Sequence, residues 1–254
     1  MILTTKQYNI LTRCIGGGPL EKAKIVVFGN ELGTAEAGGN LEKTIESFIK
    51  TWKTNPVLKL KEGFVPTVTG SLPVNSIFLQ NVSRMALAIR HKEPRFFGNL
   101  SGEGRAVLNR YITEELYKTE TAVINLKPLP QTTERTWEYS NINEKEYQSL
   151  YNFTLKRPLS SVWKELRIAV MKEAFERVKD SLILGSGAKY NKKAFLEKVF
   201  ENIIFEKVTL NDKLEIFVSK YPKIILSNYY SSYSGVGLDG MKQIYFYLIN
   251  NNMV

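Results

Sequence analysis

The sequence predicts an α/β fold: a single-domain three-layer α/β/α sandwich over residues 1–254 with a mostly parallel central sheet. Three observations carry that expectation. Short apolar runs at 24–29, 121–125, 181–187 and 223–227 read as buried strands. Amphipathic stretches alternate with them, the pattern of a sheet covered on both faces. Each run ends in a polar or glycine-containing loop, after Phe28, Ile124, Leu184 and Leu226. Right-handed crossovers would gather those exits along one edge.

Taken in order, residues 1–20 predict a short helix that stops at the breaker Gly16-Gly17-Gly18-Pro19. Strand 24–29 follows, then a glycine-bracketed loop from Gly29 to Gly39 that carries Glu31 and Glu36. Leu41, Ile45, Phe48, Ile49 and Trp52 recur at helical spacing and predict a helix over 40–53. Residues 54–75, rich in Pro, Gly and Thr, read as a long loop or hairpin. Helical patterns at 76–92 and 104–118 flank Pro94-Arg95-Phe96-Phe97-Gly98-Asn99. The strand Thr121 to Asn125 is closed by Lys127-Pro128-Leu129-Pro130, and a loop with Trp137 and Tyr139 leads to a helix over 160–179. There Trp163, Leu166, Val170, Ala174 and Val178 form one stripe, with Lys164, Glu165, Arg167, Lys172, Glu173 and Arg177 on the other faces. A strand over 181–187, a helix over 191–201, a strand near 203–209, a strand over 223–227, an exit loop to 235 and a helix over 238–250 complete the chain.

Composition narrows the function. Thirty-five Lys and Arg against 25 Asp and Glu give a net charge of +10. That excess favours polyanionic partners, since Lys and Arg contacts to phosphates release counterions; a basic surface without such a partner is the alternative. One cysteine, Cys14, excludes an intrachain disulfide framework and a thiolate-held metal cluster. One histidine, His91, excludes two-histidine metal sites. No apolar run reaches the length of about 18 residues that a membrane helix needs. Met1-Ile2-Leu3-Thr4-Thr5-Lys6 lacks the order of a signal peptide, so a cytoplasmic protein without a membrane partner is expected.

Taken in sequence, the loops resemble those of the uracil-DNA glycosylase superfamily from about residue 24 to the C-terminus, with 40–92 as a family-atypical insertion. Members open their site with a strand and a Gly-x-(Asp/Asn)-Pro-x or Gly-Glu-x-Pro-Gly turn. Gly29-Asn30-Glu31-Leu32-Gly33 is similar to that turn and puts Glu31 where many branches keep a water-positioning Asp or Asn. Pro94-Arg95-Phe96-Phe97-Gly98 resembles an Arg-Pro-Phe-Val-Gly element whose phenylalanine stacks on the flipped base, with Phe96 at that position and Phe97 as the alternative. Ala122 to Pro130 resembles the strand and Lys/Pro-rich loop that carry a base-reading asparagine, here Asn125. Residues 227–235 fall where the family keeps a His-Pro-Ser loop that enters the minor groove. Ser227 or Asn228 stands in place of that histidine, which bears on uracil specificity and rate. The four cysteines of the iron–sulfur branch are absent, which excludes that branch.

The resemblance implies a monofunctional DNA glycosylase, monomeric and without metal or cofactor. It would excise uracil or a modified pyrimidine, such as a hypermodified phage base in antiphage defence. Base flipping costs about a few kcal/mol and needs an aromatic to replace lost stacking. Glu31 and Asn228 are the catalytic candidates, Glu31 orienting water and stabilising positive charge on the sugar. Gly29, Asn30, Phe96, Phe97 and Asn125 are the substrate-binding candidates. Lys127, Lys189, Tyr229, Tyr230 and Ser231 are the DNA-binding ones. Each has a simpler reading. Glu31 and Glu36 suit a helix N-terminus, Asn125 a turn, and Phe96 and Phe97 a core or lid. The tyrosines 229, 230 and 233 suit packing of the closing helix as well as stacking on bases. Rival functions are a non-catalytic DNA-binding relative and an α/β enzyme using Gly29 to Gly39 as a phosphate cradle. The cradle lacks the Gly-x4-Gly-Lys-Ser/Thr pattern.

Overall fold

Seven strands form one sheet in a computed structural model of the chain. The structure describes residues 1–30, 41–54, 72–130, 137–156, 159–211, 214–228, 230 and 236–254. The strands are β1 (Gly16–Gly17), β2 (Ile25–Gly29), β3 (Thr121–Asn125), β4 (Leu182–Ser186), β5 (Glu206–Asn211), β6 (Leu214–Ser219) and β7 (Ile224–Ser227). Their order across the sheet is β1-β3-β2-β4-β7-β6-β5. The helices are α1 (Thr5–Arg13), α2 (Leu41–Thr54), α3 (Ile77–His91), α4 (Gly102–Arg110), α5 (Glu144–Leu150), α6 (Val162–Arg177), α7 (Lys189–Val199) and α8 (Gly237–Asn250). A π-helical turn, Tyr111–Glu115, prolongs α4.

The four apolar runs form a parallel centre, β3-β2-β4-β7. Every residue of β2, β4 and β7 is buried, which is why these strands, apart from the terminal Ser186 and Ser227, carry no polar side chains and do not alternate. One face of the sheet, with Val26, Phe28, Ile124 and Ile183, packs against α1, α2, α5, α6 and α7. The other, with Ile25, Val27, Leu184 and Ile225, packs against α3, α4 and α8. The α/β expectation therefore stands, but the sheet is mixed: β1, β5 and β6 join it by antiparallel pairing.

Helix starts follow local chemistry. Thr4 and Gln7 form a reciprocal capping box on α1. The side chains of Ser76, Asn143 and Ser161 accept from the third backbone amide beyond them and cap α3, α5 and α6.

The structure also amends and extends the expectations. Gly16-Gly17 is not only a breaker; it forms β1 beside β3, because a side chain at Gly16 would collide with the Val123 carbonyl. The strand β6 and the short helix α5 were not anticipated. Within 40–92, Leu41 and Ile45 of α2 enter one core and Leu79, Val82 and Met85 of α3 enter the other, while 55–71 lie outside the described residues. Finally, the buried face of α6 keeps Val170, Ala174 and Val178 of the predicted stripe but is broader than it. Lys164, Arg167, Met171 and Phe175 are buried, whereas Trp163 and Leu166 are half-buried. Among the described residues no helix is long and apolar enough to cross a membrane.

Candidate functional site

From β2 the chain crosses over to β3 on one side, while β4 lies on the other side of β2. Loops leaving adjacent strands in opposite directions open a crevice at their carboxyl ends, the usual ligand position in such sheets. The strand ends are paired there: Gly29 lies opposite Asn125, and Ser186 opposite Ser227. The pairing continues past the strands. The Leu126 amide donates to the Gly29 carbonyl at 3.1 Å and the Lys127 amide to the Asn30 carbonyl at 2.7 Å.

The Asn125 side chain occupies the space that a Cβ at Gly29 would take. Any side chain at Gly29 would collide with Oδ1 of Asn125, so the missing Cβ gives the Asn125 amide its place. Asn125 is itself buried, with its backbone amide donating to the Ile15 carbonyl at 2.6 Å.

Two buried cations lie under these exits. Arg167 of α6 donates to the carbonyls of Thr12 (2.9 Å), Cys14 (2.6 Å), Leu126 (3.2 Å) and Asn125. It joins the end of α1 to the exit of β3, and its burial pulls its pKa down from the usual arginine value. Lys192 of α7, fully buried, donates to Oδ1 of Asn30 at 2.7 Å and to the carbonyls of Ser186 (2.7 Å) and Gly187 (2.6 Å). Its ammonium also lies 5.3 Å from the centre of the Phe28 ring. The Lys192 bond fixes the flip of the Asn30 amide, because only the oxygen can accept from an ammonium.

Beside these exits is an open cleft of about 450 Å3, lined among others by Lys127, Gln148, Asn152, Lys189, Tyr190 and Asn228. Lys127 Nζ donates to Oε1 of Gln148 at 2.5 Å. Gly187 and Ala188 both have left-handed backbones and lead into α7, whose first turn lines the cleft. Amides of a helix's first turn have no partner within the helix and favour anions. Lys189 is largely buried and donates to the Glu215 carbonyl at 2.8 Å and to its carboxylate at 3.1 Å. Lys207, Lys189 and Tyr190 together hold the Glu215 carboxyl down to about 2.

The structure thus brings Gly29, Asn30 and Asn125 together at the exits, and Lys127, Lys189 and Asn228 around the adjoining cleft. Lys189 already has a carboxylate partner, which weakens it as a phosphate contact. Glu31, Glu36, Tyr229, Ser231 and Tyr233 lie outside the described residues.

Phe96 and Phe97 are not brought to this edge. Both are buried beside the C-terminal end of α3, with Phe96 5.7 Å from the His91 ring and Phe97 5.6 Å from Tyr245. The neighbouring Arg90 pairs with Glu120, whose carbonyl accepts from the Lys24 and Ile25 amides at the opposite, N-terminal edge of the sheet. Their packing is that of core aromatics. Tyr230 is likewise core: it is fully buried in the cluster that includes α8, with its amide donating to Ser186 Oγ at 3.0 Å and its carbonyl accepting from Asn81.

Sequence reasoning missed Arg167, Lys192, Tyr190 and Glu215. A signal existed for the first two, since Arg167 falls in helical phase with Met171, Ala174 and Val178, and Lys192 with Phe195, Leu196 and Val199. A basic residue in phase with an apolar face marks a cation that must find acceptors inside. Compared with known proteins, the chain matches no family model, no curated protein and no solved structure.

Proposed function

We propose that this protein is a DNA glycosylase of the uracil-DNA glycosylase type, which flips out uracil or a modified pyrimidine and hydrolyses its N-glycosidic bond. The observation that carries the reading is the pairing of Gly29 with Asn125, which sets a buried amide side chain between the exits of the first two parallel strands. An amide offers both a donor and an acceptor to a base edge, which a carboxylate does not. Its position is held from behind by the Arg167 bond to the Asn125 carbonyl. Net charge of +10 and the Lys127 side of the cleft suit a phosphate backbone running past the site. In this reading Glu31 orients water and stabilises the charge developing on the sugar, and Asn228, exposed beside the cleft, meets the leaving base.

A non-catalytic DNA-binding relative is the second reading, favoured by the removal of Phe96 and Phe97 from the site edge. One experiment separates the two. Purified protein is incubated with uracil-containing and hypermodified phage DNA and then treated with alkali. Strand breakage that disappears in Glu31→Gln and Asn125→Ala supports the glycosylase. Intact DNA on every substrate with a retained gel shift supports the binding relative. Intact DNA without a gel shift overturns both.

A further inference from the structure

With Phe96 and Phe97 buried at the far edge, the cleft needs another aromatic if it is to hold an unstacked base. We infer that Tyr190 is the base-stacking residue of the cleft, taking a nucleobase of the bound strand on its ring. The inference rests on the reading of this edge as a nucleic-acid site.

Among the described residues the strongly exposed aromatic side chains are Tyr190 (56%), Tyr221 (87%) and Phe246 (39%). Tyr221 precedes β7 and so lies at the N-terminal edge of that strand, and Phe246 sits on α8. Of the three, Tyr190 lines the cleft, together with Lys127 and Asn228. Its ring is held at both ends. The hydroxyl donates to Glu215 Oε1 at 2.9 Å, and the ring meets Phe217 edge-on, with centroids 5.1 Å apart and planes at 77°. An exposed ring anchored in this way loses little freedom when a ligand stacks on it, which favours binding. Exposed apolar rings are otherwise a cost, and here the anchoring carboxylate is itself held by Lys189 and Lys207. The arrangement fixes a half-exposed ring in the lining of the cleft, with the Lys189 ammonium 5.5 Å from its centre. Stacking tolerates any base, so Tyr190 contributes affinity without selecting the base that Asn125 reads.

The test is fluorescence anisotropy of a labelled oligothymidylate with wild type, Tyr190→Phe, Tyr190→Leu and Tyr190→Ala, over a range of salt concentrations. Tyr190→Phe is expected to bind within about twofold of wild type. Tyr190→Leu and Tyr190→Ala are expected to bind at least about tenfold more weakly, with an unchanged salt slope because no phosphate contact is removed. Tyr190→Leu keeps an apolar contact on Phe217 and guards against a folding defect in the alanine variant. Binding by the leucine and alanine variants as tight as that of wild type overturns the inference. So does a weakened affinity with an altered salt slope, which would place the effect in the surrounding charges. If wild type excises a base while the variants bind normally, Tyr190 fails and the glycosylase reading stands. If wild type binds no DNA, both fail.

Discussion

Nζ of Lys192 lies 2.7 Å from Oδ1 of Asn30, and that bond ties helix α7 to the exit of β2. The same ammonium holds the Ser186 and Gly187 carbonyls at the exit of β4. One side chain therefore closes the crevice between two neighbouring strands from below.

Replacing it tests that closure. Lys192→Ala leaves buried acceptors unpaired and is expected to lower stability by about 3 kcal/mol. Urea unfolding with an unchanged m-value reads the loss as a shifted midpoint. A change below about 1 kcal/mol would mean that water re-satisfies the acceptors without cost.

Arg167 is expected to be intolerant even of lysine. Its planar fork reaches carbonyls of both α1 and the β3 exit, which a single ammonium cannot span. Arg167→Lys should cost about 2–4 kcal/mol and Arg167→Met at least as much, measured by thermal melting. If Arg167→Met matched wild type, the buried charge would be dispensable and the carbonyls otherwise satisfied.

Glu215 makes stability depend on acid. Its folded pKa of about 2 lies below the ordinary 4.5, so folding favours the ionised form. The stabilisation is complete above pH 4.5 and is lost as the pH falls towards about 2. In Glu215→Gln the part of the acid-induced destabilisation in that window should shrink, as followed by melting temperature against pH. An unchanged profile would remove Glu215 from the account.

Cys14 should be inert while the protein is folded. Burial pushes its thiol up to about 12 in spite of the opposing Arg167 charge. Near neutral pH the thiolate that reacts with disulfide reagents is then scarce and shielded. Labelling with such a reagent is expected to follow the unfolding transition in urea. Fast stoichiometric labelling of native protein would contradict the burial.

Read on its own, the sequence determined the parallel centre of the sheet. The runs at 24–29, 121–125, 181–187 and 223–227 are each long and apolar enough to be strands covered on both faces. It also placed Gly29, Asn125 and Asn228 at strand exits, because chain direction and right-handed crossovers follow from local pattern. Tertiary structure alone decided which residues face one another there. Gly16-Gly17 became a strand only because β3 offered an edge, and β6 was found only as the partner of β7. Phe96 and Phe97, adjacent in order to a site-like motif, were taken to the opposite edge because α3 runs from Asn81, bound to the Tyr230 carbonyl beyond β7, to Arg90, bound to Glu120 ahead of β3. Arg167 and Lys192, charged and so expected on the surface, are interior because backbone carbonyls at the strand exits needed donors. The apolar central strands follow from neighbours in the chain, whereas edge strands and the satisfaction of buried polar groups depend on residues as far apart as Thr12 and Arg167.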